Sequence, residues 1–571
     1  MRKKTSRKLA VVAALACLLA PMAVHATEAD LQLKIDKLTK EVNDLKGSVK
    51  KVEEKSIGKW LTIGGEYRFR VDSLHGETVA YTDVMGTFGN AQKLLQADFF
   101  ANPSTTAGSS TYFGGAPFSM STAGALSALA SFQNNMNAVR TYNEAGVFLS
   151  NPMNAGLISG LGGFADQKGA YKPKNETLYT NKFGLDLTGK ATQDIVVHAK
   201  LGMYKTFGSQ DDFQVTGNYF SDRVGIFDGT LGHVPSESLL NVDRAYVTWS
   251  NILDQPVWFS IGRRPSTDGA PSNLRLNKER PGNGGVPSLM VNYAYDGMTV
   301  GYAPDIDTLP GAYVKLCYGR GYDSGIKAST NSIKDMDMTG LIVTPIDTDP
   351  LRVWLQWNHA FDLLDFPVMY DTAFGNTKPS TNLGDIDWLG AGALSTIKNV
   401  GPGSLNVFYD VAVSMTHPNQ NVSAQAGFQG LLTGGFFKPE APSDKYGWAM
   451  AVGVRYDLPS KTKIGFEYNH GSENWITMAF AADDMWTSKV GTRGNVYEPY
   501  IIHELDLKAV SSHFSKAFFK LGYQYYDFEY TGSNNWVGAP VKISDIKATD
   551  MLMMAPVKNA HNVYGTFEVQ F

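Results

Sequence analysis

Residues Gly64 to Asp72 read GGEYRFRVD, with charge at Glu66, Arg68, Arg70 and Asp72 and an aromatic or β-branched side chain at Tyr67, Phe69 and Val71. A period of two marks a strand with unlike faces. The alternation returns at Phe183/Leu185/Leu187, Ala199/Leu201/Met203, Leu351/Val353/Leu355/Trp357, Ile464/Phe466/Tyr468 and Phe519/Leu521/Tyr523/Tyr525. No strong helical pattern separates these stretches, so βαβ units are not expected. Ahead of them the period changes. Leu31, Ile35, Leu38, Val42, Leu45, Val49 and Val52 alternate spacings of four and three, a heptad seam in which Glu41 and Lys46 take g and e positions. This predicts a self-associating coiled coil over 27–57. The alternative is one amphipathic helix lying on a larger body.

Sixteen strands are expected, near 60–72, 178–190, 194–206, 242–250, 256–264, 289–303, 311–319, 336–345, 351–361, 385–396, 403–415, 444–457, 462–471, 499–510, 515–530 and 559–571. Boundaries of this kind leave room for fourteen or eighteen. The last strand ends the sequence as NVYGTFEVQF, with Phe567, Val569 and Phe571 on one face. A terminal strand closing on phenylalanine is the usual assembly signal of bacterial outer-membrane barrels. Met1 to Lys8 is basic, Leu9 to Ala20 is an apolar run too short to span a bilayer, and Val24-His25-Ala26 fits a cleavage site. Residues 1–26 therefore read as a secretory signal peptide. Together these features predict an all-β transmembrane fold: an antiparallel outer-membrane β-barrel over 58–571, preceded by a short periplasmic coiled coil. In such a barrel the apolar face meets lipid and the polar face lines a wet lumen, because lipid cannot hydrogen-bond the backbone. Short links at 191–193, 251–255, 304–310, 346–350, 397–402, 458–461 and 511–514 are expected at the periplasmic end, and long links at the other. A backbone diameter of roughly 30 Å follows from sixteen tilted strands.

Composition narrows the function. Glycine (57), tyrosine (27) and phenylalanine (30) are abundant and charged residues make up 19%. Mean hydropathy is −0.19, near neutral, as alternation requires. Removing 1–26, which carries five cations and no acid, takes the formal charge from −4 to −9. An acidic exported chain is no candidate for binding nucleic acid. Cys317 is then the one remaining cysteine, so no disulfide framework and no C-x-x-C-H haem attachment exist. No cofactor or metal is expected. His198, His359, His470, His503, His513 and His561 are joined to no nucleophile signature, and the chain is not expected to be an enzyme.

The expected pore-lining residues are Glu66, Arg68, Arg70, Lys182, Asp186, Lys200, Arg244, Arg352, Glu467, Glu504, Asp506, Lys508 and Lys520, with Glu568 on the same face of the last strand. Two loops stand out. Residues 73–177 form a long first extracellular loop, nearly uncharged between Gln92 and Tyr171 and carrying Phe113, Phe118, Leu126, Leu129, Phe132, Met136, Val147, Phe148 and Leu149. That apolar content argues against disorder. The loop is expected to fold into or over the barrel mouth, the alternative being packing on a neighbouring subunit. The second loop holds Arg263, Arg264, Asp268, Arg275, Lys278 and Arg280, with Pro and Gly at close spacing. It is expected to be a constriction whose cations set ion selectivity, as charged rings do. The alternative is an exposed loop on lipopolysaccharide phosphates.

The stretches DRAYVTWSN (Asp243 to Asn251), FSIGRRPSTDGAPS (Phe259 to Ser272) and LCYGRGYDSG (Leu316 to Gly325), together with the coiled-coil stub, resemble a family of uncharacterised bacterial outer-membrane proteins known mostly from metal-reducing bacteria. The resemblance implies a porin-like barrel with no established substrate and no binding residues to carry over. The leading expectation is a porin passing ions or small polar solutes, held in outer-membrane lipid and inserted by the barrel-assembly machinery. A homo-oligomer is expected, a trimer being favoured over a dimer because porin-like barrels are commonly trimers. The alternative is a sheath or partner for a multihaem cytochrome, which would need a wider barrel and a partner supplying every haem.

Overall fold

The computed structural model describes residues 60–101, 122–208, 219–223, 234–235, 238–266, 268–278, 287–326, 333–372, 375–507 and 515–571. The expected signal peptide and coiled coil lie outside them. Of the first compact unit, Met1–Thr62, only Trp60 to Thr62 is described.

The second unit, Ile63–Phe571, is a closed antiparallel barrel of the outer-membrane type. Its sixteen strands are β1 (Leu61–Thr78), β2 (Lys174–Lys190), β3 (Ile195–Thr206), β4 (Asn241–Trp249), β5 (Val257–Ser266), β6 (Val291–Tyr302), β7 (Tyr313–Tyr322), β8 (Met336–Asp347), β9 (Leu351–Leu364), β10 (Asn382–Val400), β11 (Gly403–Pro418), β12 (Tyr446–Asp457), β13 (Thr462–Gly471), β14 (Gly494–Glu504), β15 (Lys516–Phe528) and β16 (Val557–Gln570). Each pairs with its sequence neighbours, and β1 pairs with β16 from Glu66↔Gln570 to Thr78↔Val557. That seam leaves no sheet edge. Among the described residues, no helix is long and apolar enough to cross a membrane.

The alternation predicted from sequence has its physical basis here. Tyr67, Leu316, Leu355, Leu389, Phe519, Leu521 and Val563 are exposed on the outer wall, while Arg68, Arg70, Lys200, Glu467 and Lys520 are buried inside. A one-residue slip would put every charge into lipid, so the pattern specifies the register. Phe567 packs on Phe519 across β15 and β16, with ring centroids 5.0 Å apart. The backbone of Phe571 closes the seam: its carbonyl accepts from the Gly65 N–H at 2.7 Å and its N–H donates to the Gly65 carbonyl at 3.0 Å. A Cβ at residue 65 would lie 2.7 Å from the Phe571 ring and 2.6 Å from the Gly184 carbonyl oxygen. Glycine is required there by crowding between two strands and the terminal ring.

Strand existence and order match the expectation. Several boundaries move. β1 runs to Thr78 and not to residue 72, β2 begins at Lys174, and β14 spans 494–504 and not 499–510. The first loop therefore covers 79–173. Its described residues are largely helical, which the sequence reading missed: α1 (Val84–Ala101), α2 (Thr122–Met136), α3 (Tyr142–Ser150) and α4 (Pro152–Leu161). Thr141 and Glu144 form a capping box on α3, and Asn151 caps α4 ahead of Pro152. Leu129, Phe132, Phe148 and Leu157 pack against Val422 and Phe428 of the β11–β12 loop.

The seam generates a test. Gly65→Val should sharply reduce heat-modifiable, assembled barrel, as should deletion of Phe571. Gly565→Val, where a Cβ meets nothing within 4 Å, should assemble normally. Semi-native electrophoresis of membrane fractions reads all three.

Candidate functional site: the interior of the barrel

The interior is not a uniformly wet lumen, and two segments from the long-loop end fold into it. The first is the β5–β6 loop, described over 268–278 and 287–290. Leu274, Leu289 and Met290 from this loop join one apolar cluster with the wall residues Tyr293, Met338, Trp354, Trp388 and Phe408. The second is the β13–β14 loop, 472–493, which was not anticipated. Trp475, Ile476, Met478 and Phe480 bury themselves in the same cluster, and Met478–Ala479 pairs parallel with Val291–Asn292. One side of the interior, along β6 to β12, is thus a packed apolar core. The signal was present in WITMAFAA (Trp475 to Ala482), an apolar run out of place in an exposed loop. The wall makes room for the large rings with glycine: Gly392 lies opposite Trp354, and a Cβ there would sit 2.5 Å from the indole.

The other side is ionic, and its charges grip both loops. Arg68 on β1 forms a two-bond fork to Asp483, at 2.5 and 2.6 Å. Burial opposes the charge of Asp483, but the Arg68 guanidinium and its hydrogen bonds hold the carboxyl well below the usual range. Lys489 bonds Glu467 and Glu498, the latter at 2.5 Å. Despite burial and the nearby Arg275, those two carboxylates keep the Lys489 ammonium raised. Arg275 lies 3.7 Å from both Glu467 and Glu498 and 4.0 Å from Asp484. Tyr564 donates to Glu498 at 2.6 Å. The tip of the β5–β6 loop is held by Arg455, which donates to the Leu274 carbonyl at 2.6 Å, and by Asn277, which donates to Glu504 at 2.9 Å.

Most of the sequence-predicted residues face this interior. Glu66 and Lys200 pair at 2.8 Å, Asp186 lies 3.6 Å from Lys200, and Lys182 stands over the Tyr204 ring at 5.9 Å. Arg244 pairs with Asp243 at 3.0 Å and Arg352 with Asp347 at 2.7 Å. Glu467, Glu504 and Lys520 face inward as expected, and Lys520 donates to the Arg275 carbonyl at 3.4 Å. Glu568 accepts from Thr566 at 2.8 Å. Arg70 is fully buried against Asp72, at 2.7 Å, and stacks on Tyr564. It is a packed wall group, not a free lumen charge.

Three expectations need correction. Asp506 lies beyond the end of β14, exposed and paired with Lys461 at 2.6 Å. Arg263 and Arg264 belong to strand β5 and not to the loop. Arg263 is cross-strand from Asp296 on the outer face, whereas Arg264 points inward over Tyr246 at 5.5 Å. Asp268 and Lys278 do lie in the loop, 3.1 Å apart. Burial opposes the charge of Asp268, but Lys278, Arg244, Lys182 and Lys200 together lower its pKa. Lys508 and Arg280 lie outside the described residues. Of the histidines, His198 stacks inward on Tyr246. His359, His470 and His561 sit on the outer wall beside Asp387, Asn495 and Tyr523 at 2.9, 3.0 and 2.5 Å.

The space beside the inserted loops follows the ionic side. A cavity of about 430 Å³ is lined by Glu66, Asp186, Lys200, Arg244, Lys278 and Lys516. It shares Glu66 and Lys278 with a narrower space of about 70 Å³, bounded also by Arg68, Lys182, Asp268 and Asp483. At roughly 30 Å³ per liquid water, the narrow part holds about two waters.

A family model matches residues 172–571, which includes every barrel strand after the first. The chain belongs to DUF3373, a family of proteins of unknown function. Among curated protein sequences, none matches this DUF3373 chain. Solved structures with a similar course include trimeric OmpT of Vibrio cholerae (11% identity, 90% of this chain and 100% of that one, TM-score 0.36). An anion-selective porin from Comamonas acidovorans matches at 9% identity over 90% of this chain and 99% of that one, TM-score 0.36. OprB of Pseudomonas putida matches at 10% identity over 92% and 97%, TM-score 0.37. Likeness at this level carries nothing about the solute of the DUF3373 barrel.

The fork between Arg68 and Asp483 is testable as a latch. Asp483→Asn leaves a buried guanidinium unmatched and should cost about 3–5 kcal/mol, read by denaturant unfolding in lipid nanodiscs. Asp483→Ala combined with Arg68→Ala should cost less than the sum of the single variants. Because the folded pKa of Asp483 is depressed, the latch contributes fully at neutral pH. It should weaken only as pH falls below the usual carboxylate value of about 3.9, so protease accessibility of 472–493 should stay flat from pH 8 to about 5.

Proposed function

We propose that the chain is an outer-membrane diffusion channel for ions and small polar solutes. The observation that carries this reading is the continuous ionic flank inside a closed barrel, with unfilled space along it. Lys182, Lys278, Arg244 and Lys516 face Glu66 and Asp186 across that space, so a permeating ion meets both signs at close range. The selectivity groups are these residues. Arg70, locked against Asp72, borders neither space and is left out of that role; Arg68 borders the narrow space with its charge matched by Asp483. The β5–β6 loop serves as the constriction, as its sequence suggests, with the β13–β14 loop as a second narrowing element. The heptad segment 27–57 is proposed to lie in the periplasm and to join subunits. The packed apolar flank weighs against a sheath for a folded cytochrome, since side chains occupy the space such a partner would need.

Planar-bilayer recording of the purified protein tests the reading. Small discrete conductance steps are expected, and Lys182→Glu should move the reversal potential in a salt gradient toward cation selectivity. Removing 474–486 should raise unit conductance several-fold. A folded, inserted barrel with no conductance in either form would overturn the channel assignment.

A further inference from the structure

We propose that a cavity among the loops at the long-loop end of the barrel is a binding site for a small aromatic anion, such as an aromatic carboxylate. The cavity measures about 510 Å³, within the roughly 300–1,000 Å³ of small-molecule sites. Phe220, Phe366, Phe436 and Phe528 line it, with Met553 and Met554. The four rings are buried, and Phe220 and Phe528 lie 5.1 Å apart between centroids. Flat aromatic walls and polarizable thioethers suit a planar ring.

The charge preference comes from Arg493, which also lines the cavity and is fully buried. Its guanidinium donates to the carbonyls of Trp475, Thr531 and Asn535 at 3.1, 3.1 and 2.7 Å. Among the described residues no carboxylate lies within ion-pair distance of it; Glu473 supports its charge from further away, and the bonds that answer it are to backbone carbonyls. Three of its five N–H groups are used in those bonds. Burial brings its pKa down to about 9, which leaves it cationic at neutral pH and undercompensated. Lys438 and Asp550 also line the space and offset one another in charge, one Asp550 oxygen accepting from the Lys547 N–H at 2.9 Å, so the fully buried cation of the lining is Arg493. A carboxylate on a bound ring supplies the missing counter-charge, which a neutral or cationic ring does not. This site lies apart from the interior passage, and the proposal holds whether or not the barrel conducts.

The test is isothermal titration of the full chain in lipid nanodiscs with 2-naphthoate and with neutral 2-naphthamide. One molecule of naphthoate per chain is expected, with naphthamide bound at least about tenfold more weakly, a difference of about 1.4 kcal/mol. Met553→Trp and Ala555→Phe, which fill the cavity, should each weaken naphthoate binding by about tenfold or more while heat-modifiability is retained. Equal affinity for the two probes would overturn the role of Arg493. Unchanged naphthoate binding in assembled filled variants, or no binding up to millimolar concentration, would overturn the site.

Discussion

A chain that crosses lipid as strands must leave no backbone group unpaired, and everything else in this structure depends on meeting that condition at one seam. Where β1 meets β16, the last residue of the sequence pairs with Gly65 and the sheet becomes a closed surface. The penalty for an open edge in hydrocarbon is several kcal/mol per unsatisfied group. Closure then forces the two faces of every strand into opposite solvents. The outward aromatic and aliphatic side chains need only be apolar. The inward side chains face a bounded volume, and how that volume is filled is the distinctive feature of this protein.

The filling is asymmetric for a physical reason. Along β6 to β12 the inward positions include Tyr293, Met338, Trp354, Trp388 and Phe408, which would expose large apolar area to lumen water. The described parts of the β5–β6 loop, 268–278 and 287–290, and the loop 472–493 cover them, and Trp475, Ile476 and Met478 are buried in return. Along the opposite flank, inward charges such as Arg68, Glu467 and Glu498 would be costly to bury alone. They are matched by Asp483, Lys489 and Arg275 on the same two loops. Each loop therefore has an apolar side and a charged side, fitted to unlike halves of one barrel. Buried ion pairs add little over well-packed apolar groups, but losing one partner is costly, so they specify where the loops sit.

Alternation like that in Glu66–Asp72, Phe183–Thr188 and Phe519–Tyr525 was enough to locate the strands and assign most faces, because lipid on one side makes the period of two strict; the count of sixteen, against fourteen or eighteen, came with the closed sheet. The first loop was harder. Leu126, Leu129, Phe132 and Met136 carry a helical spacing, but glycine, alanine and serine dilute it, and the helices α2 to α4 gain stability by packing on Val422 and Phe428, about three hundred residues away. The inward charges were legible as a set but not as partners. Arg70 and Lys182 look equivalent in the alternation, yet one is locked against Asp72 and the other borders free space. Arg263 and Arg264 were drawn into the loop because the Gly262 kink and Pro265 read as a turn, although β5 continues through them.

What the sequence by itself determined is the wall: which residues form strands, which face each side chain takes, and that the ends meet. Those follow from local periodicity and from the absence of hydrogen-bonding partners in lipid, constraints that act on each strand separately. Only the tertiary structure decided what the wall encloses. The pairing of Arg68 with Asp483, 415 positions apart, and of Arg455 with the Leu274 carbonyl depends on where a closed cylinder brings opposite strands and folded-in loops together. No spacing along the chain records that distance, because it is set by the curvature of the whole sheet.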